Sequence, residues 1–79
     1  MKIQFVMNSI DDVELFLGVM RQYKVKGFIS TKDGARLPVT CFMVLLTLIS
    51  EDILTLTVEN SNTTSETITK ELETMLIKD

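Results

Sequence analysis

The stretch Thr40-Cys41-Phe42-Met43-Val44-Leu45-Leu46-Thr47-Leu48-Ile49 carries no charge, and whether it forms a strand or a helix decides the fold. Periodicity leaves both open, because a short apolar run reads alike in a buried strand and a buried helix. Its neighbours are clearer. Downstream, Ser50-Glu51-Asp52 ends the run, and Leu54, Leu56 and Val58 then alternate with Thr55, Thr57 and Glu59 as a half-buried strand does. Upstream, a strand over about Ala35 to Val39 contains Pro38, which cannot donate to a ladder and so belongs at a sheet edge. Before it, Val25, Gly27, Ile29 and Thr31 alternate with Lys24, Lys26, Phe28, Ser30 and Lys32, and Asp33-Gly34 suits the positive φ angles of a tight hairpin.

The same reading extends to both ends. Lys2 to Met7 alternates, with Ile3, Phe5 and Met7 on one face. Asn8-Ser9 offers an N-cap to a helix from about Ile10 to Gln22. Asp11, Asp12 and Glu14 suit the positive end of its dipole, and Ile10, Val13, Phe16, Leu17 and Met20 form its main apolar face, with Leu15 and Val19 off it. After the polar loop Asn60 to Thr64, Thr63-x-x-Glu66 fits a capping box and Ile68, Leu72, Met75 and Leu76 mark one face of a last helix. The order is β-α-β-β-(α or β)-β-α, a single α+β domain over residues 1-79.

Composition narrows the chemistry. The chain has 79 residues, and a fold of this length buries only roughly 60 to 65% of its unfolded surface, so its stability is marginal. It has no histidine, which excludes an imidazole base, a His-ligated metal, a Ser-His or Cys-His nucleophile and a phosphohistidine. One cysteine forms no internal disulfide, and the opening eight residues lack a long apolar core and a small-residue cleavage site, so a cytoplasmic location is expected. The longest uncharged run, 37–50, is too short and too interrupted by Pro38 to cross a bilayer, and no membrane contact is expected. The net charge of −3 is uneven: residues 21–36 are basic through Arg21, Lys24, Lys26, Lys32 and Arg36, and both ends are acidic. That basic stretch, read as lacking stacking aromatics on its own face, points to a solvated surface and not to nucleic acid.

Three features taken together resemble HPr, the small phosphocarrier of the bacterial phosphoenolpyruvate:sugar phosphotransferase system. They are Tyr23 followed by a strand, the turn Lys32-Asp33-Gly34, and the run Thr40 to Leu48, in the family's order of aromatic, strand, tight turn, strand and short apolar helix. The resemblance covers nearly the whole chain. It implies that Thr40 to Leu48 is a helix and that the fold is an open-faced β-sandwich, β-α-β-β-α-β-α, with four antiparallel strands covered on one face by helices. It also implies an edge position for the Pro38 strand.

The family's phosphate site, Gly-x-His-x-Arg-Pro, is missing. Counting back from Tyr23 puts Ser9 in the place of the histidine, Asp11 in that of the arginine and Asp12 in that of the proline. An incoming phosphate would meet two carboxylates at the helix end instead of a cation and free N–H groups. Phosphohistidine transfer is therefore excluded, phosphate binding is disfavoured, and no enzyme activity is expected. Cys41 takes the place of the family's regulatory serine, where sulfur cannot replace the hydroxyl in a kinase reaction. A thiol at a helix start can have a lowered pKa, so modification of Cys41 stands beside the simpler reading of a small half-buried side chain. Phe42, Met43 and Leu46 match the family's apolar docking patch, which makes a protein partner or self-association through this helix the leading expectation. Two alternatives stay open: a phosphotransferase component phosphorylated elsewhere, for example on Ser9, and a small-ligand-sensing α+β domain. Asp11/Asp12 and Glu51/Asp52 read as caps and solvated turns, Asn62-Thr63-Thr64 is a glycosylation acceptor only in name, and the five methionines read as core filler. No cofactor or metal is expected.

Overall fold

A computed structural model describes residues 1–77. In chain order the elements are β1 (Lys2–Phe5), α1 (Ile10–Gln22), β2 (Lys26–Ser30), β3 (Arg36–Pro38), α2 (Phe42–Thr47), β4 (Leu54–Asn60) and α3 (Ser65–Glu71), followed by a 3₁₀ turn, Glu73–Met75. The strands form one open antiparallel sheet in the order β1-β4-β2-β3, with the Pro38 strand at an edge. The uncharged run is thus a helix, shorter at six residues than the run itself.

Alternation along each strand decides which side is covered. Ile3, Phe5, Ile29, Leu54 and Leu56 are buried, while Lys2, Gln4 and Lys26 on the opposite face are exposed. The covered face meets α1 through Val13, Phe16, Leu17 and Met20, and the Phe16 ring stacks on Phe5 with centroids 5.0 Å apart and planes 10° apart. Leu45 from α2, Leu48 at its C-cap, and Ile68, Leu72 and Met75 from the C-terminal segment complete the same core. No buried side chain in it is polar or charged among the described residues, so it is held by apolar burial alone.

Several local expectations need correction. β1 stops at Phe5 and not at Met7: Val6 N–H donates to Met75 C=O at 3.0 Å, and Met7 C=O accepts from Ser50 N–H at 3.0 Å, so these groups leave the β4 ladder. Met7 is fully buried nevertheless. On α1, Ile10 lies outside the core at 54% exposure and Val19 lies inside it at 3%, the reverse of their expected roles. Burial on α1 begins at Val13, after the first turn that holds Ile10, and the packing stripe from there on is wide enough to take in Val19.

In the β2–β3 hairpin only Gly34 has positive φ (+92°), and Asp33 does not. Gly34 N–H bonds back to Thr31 C=O at 3.0 Å, and Thr31 N–H donates to Ala35 C=O at 3.0 Å. This is a three-residue loop closed by a left-handed glycine instead of a two-residue primed turn. Thr31 Oγ1 donates to the Asp33 carboxylate and accepts from Ala35 N–H at 3.2 Å. The Thr31 bond first, with the backbone N–H groups of Asp33 and Ala35 behind it, holds the Asp33 carboxyl below its ordinary pKa.

α3 is capped by Thr64, one residue later than the expected Thr63. Its Oγ1 accepts from Thr67 N–H at 3.3 Å and pairs with the Thr67 hydroxyl at 3.1 Å, while Glu66 supplies first-turn charge only. The helix also ends sooner than its apolar face suggests. After Glu71 the chain tightens into the 3₁₀ turn and runs extended at Leu76, which pairs with Phe5. Ile77 N–H donates to Gln4 C=O at 3.3 Å, so this segment covers part of the β1 edge, which a continued α-helix would leave bare.

Candidate functional site

The two places singled out by sequence are the start of α1 and the face of α2. They approach one another because Ser50, in the turn leaving α2, donates its N–H to Met7 C=O just before α1 begins. Ser50 adopts positive φ (+73°) to make this turn.

The start of α1 is closed by its own side chains. Ser9 is the N-cap, with extended backbone, and its Oγ accepts from Asp12 N–H at 3.3 Å. Asp12 Oδ2 in return accepts from Asn8 N–H at 2.8 Å. The first bond occupies the Asp12 N–H, one of the donors that a helix N-terminus otherwise offers to an anion, and the second holds the Asp12 carboxylate against the chain just ahead of the cap. Asp11 is exposed beside it and adds a second carboxylate. An anion has neither free charge nor a cation to meet here.

On α2 and the turn that leaves it the side chains divide sharply. Leu45 is fully buried and Leu48 nearly so, Leu46 and Ile49 are half-buried against the core, and Phe42 and Met43 point outward at 38% and 70% exposure. Leu46 is thus more core than patch. Cys41 is half-buried in the N-cap position, where its side chain makes no capping bond. Of the six residues of α2, Phe42, Met43 and Thr47 are exposed, and the two large apolar ones stand together at its start.

Strand pairing places together a group of residues that sequence reasoning missed. Phe28 pairs with Thr57 and Pro38, on the face opposite Ile29, and the Arg36 guanidinium lies 4.6 Å from the Phe28 ring centroid. The basic stretch therefore does have an aromatic on its face, and that ring is already engaged by a cation from the same stretch. Alternation in β2 held this signal, but the three-residue loop had to be known before Arg36 could be paired with it. A second group lies between β1 and α3, where Met1, Ile3, Thr69, Lys70 and Leu76 line an open groove of about 620 Å³. Its walls are more than sixty residues apart in the chain, which no local pattern reports.

Tyr23, at the end of α1, donates to Glu71 at the end of α3 over 3.4 Å. Partial burial first, then the Glu71 charge and the hydrogen bond, raise the Tyr23 pKa above its ordinary value. Among the described residues no helix is long and apolar enough to cross a membrane. Comparison with known proteins finds no matching family model, no matching curated protein and no matching solved structure.

Proposed function

We propose that this chain is an HPr-like domain, cytoplasmic and without phosphohistidine transfer, that works as a protein-binding or regulatory module through the face of α2. The element order β-α-β-β-α-β-α, the edge position of the Pro38 strand and the helix at Phe42–Thr47 support the HPr-like part of the reading. The absence of histidine and the Ser9–Asp12 closure of α1 support the loss of phosphotransfer.

The observation that carries the binding role is the exposure of Met43 at 70% beside Phe42 at 38%, on a helix whose other large side chains face the core. Exposed apolar groups of this size gain by being covered, and a partner protein or a second copy would cover them. Removing the face without touching the core tests it. Parallel affinity captures with the wild-type chain and with Met43→Glu should recover a partner only with the former, while circular dichroism stays the same for both. Equal recovery by both baits overturns the α2 reading. Incubation with phosphoenolpyruvate and the pathway's first enzyme should leave the intact mass unchanged; a stoichiometric phosphoryl adduct would establish instead a carrier that uses a non-histidine acceptor such as Ser9.

A further inference from the structure

The five methionines, alike in sequence, separate into two populations in the fold. Met7 and Met20 are 0% exposed and Met75 is 1% exposed, whereas Met1 is 41% and Met43 70% exposed. The three buried thioethers do the gap-filling work that flexible side chains do in cores. Met43 does not, since Leu45 on α2 and Leu48 at its C-cap already occupy the core side. We propose that Met43 is an oxidation site, and that its conversion to the sulfoxide switches the α2 face from apolar to polar. This proposal rests on the docking role argued above.

The oxidant is a peroxide. A lone pair of the Met43 sulfur attacks one oxygen of hydrogen peroxide and the O–O bond breaks. The sulfur gains that oxygen and gives up two electrons, and the second oxygen leaves as water after proton transfer. The product is a strong hydrogen-bond acceptor in the middle of a stretch, Thr40 to Ile49, that has no charged residue to accommodate it in an interface. A partner surface matched to Phe42 and Met43 must then desolvate the sulfoxide without pairing it. Because the group is outside the core, the fold itself is untouched, so the chemistry acts on association and not on stability. Cys41 next door is half-buried.

Limited hydrogen peroxide treatment of the folded chain, followed by peptide mass mapping, tests the site. Met43 should take oxygen about tenfold or more faster than Met7, Met20 and Met75, which react only when the fold opens. Equal rates at Met43 and the buried three overturn the assignment. Retention on a hydrophobic-interaction column reads the switch without any partner. Oxidised wild type should elute earlier than the reduced form, Met43→Leu should not shift beyond what Met1 contributes, and methionine sulfoxide reductase should restore the wild-type position. Oxidation at Met43 with unchanged retention overturns the switch. If retention shifts but capture of a partner survives oxidation, the docking role fails while the oxidation site stands.

Discussion

The Tyr23 hydroxyl reaches Glu71 Oε1 at 3.4 Å, joining the C-terminal end of α1 to that of α3 across 48 residues of sequence. Tyr23 is the sole tyrosine and there is no tryptophan, so ultraviolet absorbance reads its ionisation directly. The titration midpoint should lie above the ordinary value of about 10. Glu71→Gln should bring it down part of the way, because partial burial, the larger cause, remains. The linkage has a definite sign. A proton held more tightly in the folded state stabilises fully below the unfolded pKa and is lost as pH rises through the folded one, so unfolding should become easier above about pH 10. A midpoint at or below that of a model peptide refutes the contact.

Two glycines should respond oppositely to alanine. At Gly27, where β2 and β4 slip register, an added Cβ would sit 1.9 Å from the Thr57 carbonyl oxygen, a backbone atom that moves only with the sheet. Gly27→Ala should lower stability in urea by about 2 kcal/mol or more, at the upper end of overpacking effects. At Gly18, mid-helix on the exposed side of α1, nothing lies within 4 Å of the added carbon. Gly18→Ala should raise stability by about 0.5 to 1 kcal/mol.

α1 ends in a left-handed turn that carries a lysine where glycine is usual. Lys24 has φ +48°, its N–H bonds to Arg21 C=O at 3.3 Å, and Val25 N–H bonds to Met20 C=O at 2.9 Å, with Val25 and Met20 both buried. These are the two bonds and the apolar contact of a Schellman end, for which a side chain at the left-handed position is a cost. Lys24→Gly should raise the midpoint of denaturation by a stabilisation of about 0.5 to 1 kcal/mol, after allowing for the looser unfolded chain. A loss of stability would show that the lysine makes a compensating contact.

The Ser9–Asp12 clasp should matter more to the helix than to any ligand. Ser9→Ala removes one cap and should lower stability by about 1 kcal/mol. Calorimetric titration with inorganic phosphate should show no binding to wild type, and none to Ser9→Ala, since Asp11 and Asp12 remain at the helix end. Saturable phosphate binding by wild type would refute the closed reading of this terminus.

The lengths of these elements follow from where backbone groups find partners, and that explains which parts were legible. Ser9 as cap and the span of α1 from Ile10 to Gln22 depend on residues within a turn of one another, and the sequence contains them. The inward faces of the strands, with Ile3, Phe5, Ile29, Leu54 and Leu56 buried, follow from a period of two. The end of α3 was not legible, because Leu76 leaves the helix only to pair with Phe5, seventy-one positions away. Phe28 beside Arg36 was missed for a related reason: the register of β3 on β2 depends on Gly34 alone taking the left-handed conformation.

By itself the sequence determined which chemistry is absent, since no fold can supply an imidazole that the chain lacks, and it placed the apolar faces through spacing. Only the tertiary structure decided that the uncharged run is a helix, and that within it Leu45 and Leu48 go inside while Met43 stays out. A uniform apolar run has no polar side to orient it. What orients it is the shape of the core it completes, and that core exists only once the sheet and α1 are in place.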